Sequence, residues 1–426
     1  MRPPKLPPGR PPTTQRLRVK RNLAHAMSPP RKQCRGPARP SRRPPPRHSG
    51  RPGAPPKHPG PAPKGKTPAH TAPPAPRAPP RAKPPPLPGS TLAARPGRWL
   101  WTCRAGFEAH LFEELAWAGA EPRLLGEALV ESDAVSGPPP AFARAGYQVV
   151  ASLTATSPEA AAEGAARAAL SACGRAPWVL QAFTPDTPRG NALAPFAESL
   201  EAAVAARLPS ARRVEDAQRA REAGAMLVSL CVAPDGVTVV GAVSAREAVS
   251  LAPGGRRRMR RASDAPSRAA MKLEEALDGL AFEPGRGDVC ADLGAAPGGW
   301  TQRLVSRGAK VVAVDPARLM PELTGHARVK HVQESAFSYA PDEPVDWLFC
   351  DMAWRPLEVA QLLAKWGRRG WAQHLVANIK LPMKDKNPIL LRVRHTLTQE
   401  GGWEGLTVRQ LYHDRDEVTV TAHKLK

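Results

Sequence analysis

The first 98 residues contain no Asp and no Glu, although the 426-residue chain has 38 of them. The same stretch holds 23 of the 62 Lys and Arg and 30 of the 52 Pro. So few aliphatic and aromatic side chains cannot bury enough surface to offset the entropy of ordering. With runs such as Pro44-Pro45-Pro46 and Pro84-Pro85-Pro86, residues 1–97 read as a disordered polycation of polyproline character. Acids and bases nearly balance in the rest, so the formal charge of +24 belongs to the tail.

Cysteine is also scarce. The six (Cys34, Cys103, Cys173, Cys231, Cys290, Cys350) lie far apart with no C-x-x-C pair, which argues against a disulfide framework and a structural zinc site. A reducing, cytoplasmic setting is expected. No apolar run approaches the roughly 18 residues of a membrane helix. No apolar stretch follows the N-terminal charges, so a secretory signal is not expected, and the prolines disfavour an amphipathic transit peptide. Two readings of the tail stand side by side: a sequence-blind clamp on RNA phosphates, and a start codon placed too far upstream.

Residues 288–315 organise what remains. Val289 to Leu293 is a short apolar run with the character of a buried strand. Gly294 to Gly299 is a tight loop with little side-chain bulk, and Trp300 and Leu304 mark one face of a helix that stops at Gly308. A second apolar run, Val311 to Val314, ends on the carboxylate of Asp315. This β-loop-α-β unit lets a ligand approach the backbone and places an acid to hold ribose hydroxyls. The spacing Gly294, Gly298, Gly299 is not G-x-G-x-x-G, and no Lys-Ser/Thr follows as in a phosphate-cradling loop. A nucleoside without a pyrophosphate fits better, and S-adenosylmethionine meets that description.

Strands and helices alternate on either side of this unit. The expectation is an α/β, Rossmann-like doubly wound domain from 264 to 426, a basic linker at 254–263 with five arginines, and an α+β region over 98–253. In that region Arg98–Gly106 reads as strand and turn, and 107–118, 159–172 and 197–208 as helices. Strands are expected over 149–153, 226–232 and 237–243, the last two joined by Pro234-Asp235-Gly236. The linker arginines suit either a solvated loop or phosphate contact. In the C-terminal domain a helix from about Ser267 carries Leu273, Leu277 and Leu280. Strand Val345–Cys350 ends at Asp351, strand Leu375–Ile379 ends at Lys380, and strands over 406–412 and 418–422 close the sheet as a hairpin. Ligands of open parallel sheets sit beyond the carboxyl ends of the strands, where the glycine loop, Asp351 and Lys380 meet. Lys272 and Glu417 can reach the same edge.

These residues resemble a known family. Asp292-Leu-Gly-Ala-Ala-Pro-Gly-Gly-Trp300 resembles the first motif of FtsJ-type ribose 2′-O-methyltransferases. Stretches 264–276, 350–352, 378–384 and 409–420 resemble the branch of that family that methylates a cytidine ribose of large-subunit (23S) rRNA. The likeness is dense over 264–423 and weaker over 98–250, where Cys103-Arg-Ala-Gly-Phe-Glu108 matches and a THUMP-type RNA-binding module is implied. The resemblance implies a class I methyltransferase sheet and a catalytic set of Lys272, Asp351, Lys380 and Glu417, with Lys380 as base. It also implies S-adenosyl-L-methionine contacts at Ala269, Gly294, Ala296, Pro297, Gly298, Gly299, Trp300, Asp315, Ser335 and Asp351. Ser335 stands where relatives carry an aspartate, and Ala269 where they carry a serine.

A ribose hydroxyl is too weak an acid to ionise at neutral pH, so a positioned base is expected. A lysine serves only when neutral, a state favoured by partial burial and a neighbouring cation, whereas Asp351 pulls the other way and is expected to orient Lys380 and the methyl group. No metal is called for, since a sulfonium already activates its methyl carbon. His413–Asp416 reads as a turn rather than a metal site. The expected partner is 23S rRNA or a large-subunit assembly intermediate, without membrane, and a monomer is the working expectation. The alternatives are an FtsJ-like ribose methyltransferase with another RNA target, or a non-catalytic rRNA-binding assembly factor.

Overall fold

The computed structural model describes residues 78–79, 84–257, 269–278, 280 and 282–424, all within one compact unit, His70–Lys426. Residues 1–77 of the expected tail, the linker residues Arg258, Arg260 and Arg261, and the expected domain start at Asp264 lie outside the described residues.

Order begins before Arg98, which corrects the expected tail boundary at 97. Ala94 is buried, Leu92 N–H donates to Leu125 O at 2.8 Å, and Gly97 N–H donates to Val149 O at 2.8 Å. The cause is a fully buried carboxylate. Glu131 takes hydrogen bonds from the Arg95 amide (2.6 Å) and the Arg95 and Arg123 side chains (2.7 and 3.1 Å). Burial would raise the Glu131 pKa, but these partners outweigh it and hold it below the usual carboxylate range. A proline-rich composition masks such a tether, because one arginine is enough to make it.

Seven strands form the N-terminal sheet: β1 (Trp99–Thr102), β2 (Arg123–Gly126), β3 (Leu129–Ser132), β4 (Ala145–Thr154), β5 (Trp178–Phe183), β6 (Met226–Val232) and β7 (Val237–Ser244). Their order is β2-β3-β1-β4-β7-β6-β5, with only β5 and β6 parallel. The β6–β7 hairpin turns on Asp235 (φ 64°), as Pro-Asp-Gly implied. Strands β2, β3 and β5 escaped the sequence reading because four to six residues show too little alternation. The alanine-rich helices Pro158–Cys173 and Ala194–Ala205 pack together over one face.

The N-terminal region is not a detachable brace. Phe107, Leu111, Leu115 and Phe142 form one continuous core with Leu363, Leu390 and Leu397 of the C-terminal half. Buried polar groups pin the contact: Asn387 Nδ2 donates to His110 O (2.9 Å) and Glu113 Oε2 (2.8 Å), and Gln410 N–H donates to Ala141 O (2.7 Å).

The C-terminal sheet contains β8 (Val289–Leu293), β9 (Lys310–Val314), β10 (Val329–Val332), β11 (Val345–Cys350), β12 (Ala372–Lys380), β13 (Glu404–Arg409) and β14 (Glu417–His423). The order is β10-β9-β8-β11-β12-β14-β13, parallel from β10 to β12 and antiparallel beyond. Helices Ala269–Leu277 and Gly299–Ser306 pack with one core cluster, Pro356–Arg368 and Lys386–His395 with another. That is the doubly wound arrangement expected. The strand expected to run to Tyr412 stops at Arg409, because Asp414 accepts the Leu411 N–H at 2.9 Å and folds the segment into a turn. Among the described residues no helix is long and apolar enough to cross a membrane.

Candidate active site

Strand β8 delivers the glycine loop to the carboxyl edge of the sheet. Gly294 and Gly298 have φ of +76° and +120°, which side chains other than hydrogen rarely tolerate. A Cβ at Gly294 would lie 2.5 Å from Met352 Cγ, and one at Gly298 would lie 2.3 Å from Leu323 Cδ1. The loop therefore has no room for a side chain at either position. Asp315, at the end of β9, accepts the Ala296 N–H (3.1 Å) and the Ala317 N–H (2.8 Å). A carboxylate accepts about four hydrogen bonds, so Asp315 keeps capacity for vicinal hydroxyls. These residues fit an adenosine moiety.

Trp300 supports the loop from inside. Its side chain is buried, its ring meets Phe349 edge-on, and its indole N–H donates to Ala269 O at 2.7 Å. Ala269 thus contributes its carbonyl, which any residue there would supply. Ser335 is exposed, and its hydroxyl accepts the Phe337 N–H at 3.3 Å, the turn-forming bond an aspartate would also make.

The charged quartet assembles through sheet register. Lys380 and Glu417 are direct cross-strand partners on β12 and β14, and Asn378 faces Thr419 two residues back. Strand β11 runs parallel beside β12 with Cys350 opposite Ala377, so Asp351 emerges level with Asn378. Asn378 Nδ2 and Lys380 Nζ both donate to Asp351 Oδ1, at 3.2 and 3.1 Å. Lys380 also pairs with Glu417 Oε2, while Lys272, from helix Ala269–Leu277, pairs with Glu417 Oε1. The Asp351 amide donates to Leu293 O at 3.3 Å, which joins the quartet to the root of the glycine loop. The structure brings all four expected residues together.

At Lys380 the opposing influences expected from the sequence resolve in favour of charge. Burial works against its charge, but Asp351 and Glu417 outweigh that cost and hold the ammonium above the ordinary lysine range. The cation expected to depress it, Lys272, lies on the far side of Glu417. Burial also acts on Glu417, and here the two lysines win and keep its carboxylate below the usual range. Without a ligand the quartet is two complete ion pairs.

Sequence reasoning missed three residues. Asn378 and Thr419 share strand faces with Lys380 and Glu417, a signal available from i, i+2 spacing. Asp414 carried no signal, because its burial is a tertiary fact. It is fully buried, accepts from Leu411 N–H and Thr419 Oγ (3.2 Å), and lies 3.9 Å from Lys272 Nζ. Burial pushes its pKa up to about 8, with Lys272 only partly offsetting this.

Asp292, inside the first motif, is likewise pushed by burial up to about 7, against the 2.7 Å hydrogen bond from Thr301 Oγ1. An acid whose folded pKa lies above its unfolded value contributes stability below the unfolded pKa. That stability is lost as pH rises through the folded one. Between pH 5 and pH 7 Asp292 therefore withdraws stability as pH rises, and Asp292→Asn, which keeps the acceptor for Thr301, should make the fall of unfolding free energy with pH shallower by about 1.4 kcal/mol per pH unit. Thermal melts of both proteins across that range check this, and parallel curves would refute it.

A family model described as FtsJ-like methyltransferase matches residues 265–365. The ribosomal RNA large subunit methyltransferase M of Alkalilimnicola ehrlichii is 37% identical over 352 residues, covering 76% of this chain and 94% of that one. The chain belongs to the ribosomal RNA large subunit methyltransferase M family. The member from Laribacter hongkongensis is 39% identical over 246 residues, 55% of this chain and 68% of its own. Fibrillarin of Aeropyrum pernix, solved with natively bound S-adenosyl-L-methionine, is 23% identical, covers 35% of this chain and 74% of its own, and has a TM-score of 0.29, too slight a likeness to bear on the site.

Membership of this family makes the chain a methyltransferase. The basic run at 254–261 suited solvent or phosphate equally well by sequence, and the structure narrows it at its two described arginines. Arg256 is committed to Asp186 (3.1 Å), Asn191 Oδ1 (2.7 Å) and Thr184 O (3.1 Å), and Arg257 pairs with Asp278. Arg256 fastens the linker to the N-terminal half and Arg257 reaches the C-terminal half, so both guanidiniums are committed to internal partners. Among the described residues no group of three or more His, Cys, Asp or Glu is placed to hold a metal ion.

Proposed function

We propose that this chain transfers the methyl group of S-adenosyl-L-methionine to a cytidine ribose 2′-hydroxyl of large-subunit (23S) rRNA, in the cytoplasm. The observation that carries this reading is the Lys380–Glu417 cross-strand pair beside Asp351, at the strand edge where the glycine loop and Asp315 meet. The loop residues Gly294 and Ala296 to Gly299 hold the cofactor through backbone, and Asp315 takes its ribose hydroxyls. When bound, the cofactor supplies an electrophilic methyl on a cationic sulfur.

Lys380 accepts the hydroxyl proton at Nζ. It must first lose the proton that Asp351 and Glu417 favour. With a cationic cofactor bound beside it, Asp351 would share its carboxylate, so the ammonium would be stabilised less and would give up its proton to solvent more readily. Glu417 and Lys272 then fix the amine's position, and Asn378 fixes Asp351. The THUMP-like reading of residues 98–253 assigns that region to RNA binding on rRNA or an assembly intermediate, with a monomer sufficient for catalysis.

Mapping 2′-O-methyl groups in 23S rRNA from cells with and without the gene tests the function. One cytidine should lose its methyl group and regain it with the purified chain and cofactor. Identical maps would overturn the enzyme reading in favour of a non-catalytic assembly factor.

A further inference from the structure

A cavity of about 610 Å³ opens where the two halves meet, lined by Arg104 and Asp186 from the N-terminal half and by Lys272, Arg415 and Glu417 from the C-terminal half. Tyr412 and His413 also line it. Lys272 and Glu417 belong to the quartet as well, so the cavity is continuous with the proposed chemistry.

Its carboxylates are already neutralised. Asp186 is held by Arg144 (2.9 Å) and Arg256 (3.1 Å), and Glu417 by the two lysines. Two guanidiniums are left over. Arg104 donates once, to Asp414 O at 3.3 Å, and Arg415 is exposed; among the described residues neither has a carboxylate within ion-pair range. The His413 Nε2 atom is buried without a hydrogen-bond partner among the described residues. Five charged groups with a cationic surplus, donors unspent, describe a site built for an anion. A planar guanidinium fork suits phosphate oxygens, and two forks from different halves suit a bridging phosphodiester.

We propose that this cavity holds a phosphodiester adjoining the target nucleotide, gripped by Arg104 from the N-terminal half and Arg415 from the β13–β14 connection. The N-terminal region then completes the substrate site as well as capturing RNA at a distance. The short Cys103–Gly106 turn, locked by Glu108 Oε1 accepting the Gly106 N–H (3.1 Å) and the Ala128 N–H (2.7 Å), holds Arg104 at the junction. This inference rests on the rRNA methyltransferase reading above.

The test uses the full chain, unmodified 23S rRNA and the variants Arg104→Ala, Arg415→Ala and Arg415→Lys. Each alanine variant should raise the KM for RNA about five- to tenfold, with a smaller loss in kcat and an unchanged S-adenosylmethionine affinity. Each should also lower the slope of log affinity against log salt by about one. Arg415→Lys should restore the slope but not the full affinity, because the charge returns without the fork. Inorganic phosphate at millimolar concentration should weaken RNA binding by wild type more than by Arg415→Ala; equal competition would point to free-anion binding elsewhere and count against the site. Arg415 is exposed, so its variant reports without a folding defect. Methylation by wild type with an unchanged KM and salt slope in both alanine variants overturns this inference alone. Wild type that binds RNA but never methylates it overturns the functional reading, while the salt slopes still decide the phosphate site.

Discussion

Lys380→Met should reduce single-turnover methylation by a hundred- to ten-thousandfold, roughly 3 to 5 kcal/mol of barrier, while RNA and S-adenosylmethionine still bind. Methionine approximates the lysine stem but cannot accept a proton. The variant removes one donor to Asp351 and one to Glu417, but Asn378 Nδ2 still holds Asp351 and Lys272 still holds Glu417. The remaining groups keep their places, so the loss reports chemistry. Lys384→Met is the control, since Lys384 is exposed beyond the strand end and its loss should cost less than threefold. Lys386 would be a poor control: it is buried, caps Pro382 O and Met383 O at 2.9 and 3.0 Å, and pairs with Asp416. Saturating RNA and cofactor separate binding from chemistry. A Lys380→Met enzyme within threefold of wild type would sink the base assignment and shift suspicion to Lys272.

Gly294→Val should lower S-adenosylmethionine affinity by more than about a hundredfold. Two penalties act at one position. The left-handed backbone costs a side chain about 1–2 kcal/mol, and more when it is β-branched. The new Cβ would also lie 2.5 Å from Met352 Cγ and 3.3 Å from Met352 Cα. Met352 follows Asp351, so relief of that clash moves the quartet and the loop together. Gly298→Val meets the same backbone demand at φ +120°, but its Cβ would lie 2.3 Å from Leu323 Cδ1, the flexible end of a leucine that can yield, so it should cost less affinity than Gly294→Val. Calorimetric titration with cofactor, alongside thermal melts, measures both variants. A folded Gly294→Val protein with wild-type affinity would remove the loop from the site.

The parts of this molecule that depend on local pattern were legible in the sequence. Strands β8, β9, β11 and β12 could be placed because each is a compact apolar run ending on a polar or glycine residue, and those ends define the ligand edge of a parallel sheet. Gly294, Asp315, Asp351 and Lys380 all lie there, within a residue or two of a strand end. Of the four-residue strands, β2, β3 and β10 could not be seen, since four residues carry little periodicity. Nor could the start of order before Arg98, which hangs on the buried Glu131 some 35 residues further on.

Only the tertiary structure decided the charge state of the site. From sequence, Lys380 had a carboxylate and a cation as neighbours and its proton affinity could go either way. The β12–β14 register puts Glu417 directly opposite it and Lys272 behind Glu417, so attraction wins over burial. Tertiary structure also fused the two halves through one core and committed Arg256 and Arg257 to internal partners, leaving Arg104 and Arg415 at the junction with no carboxylate partner among the described residues. The physical reason is range. Hydrophobic periodicity acts over neighbouring residues and is written along the chain, whereas Coulomb interactions and desolvation depend on which distant groups share a low-dielectric space, which the chain settles only by folding.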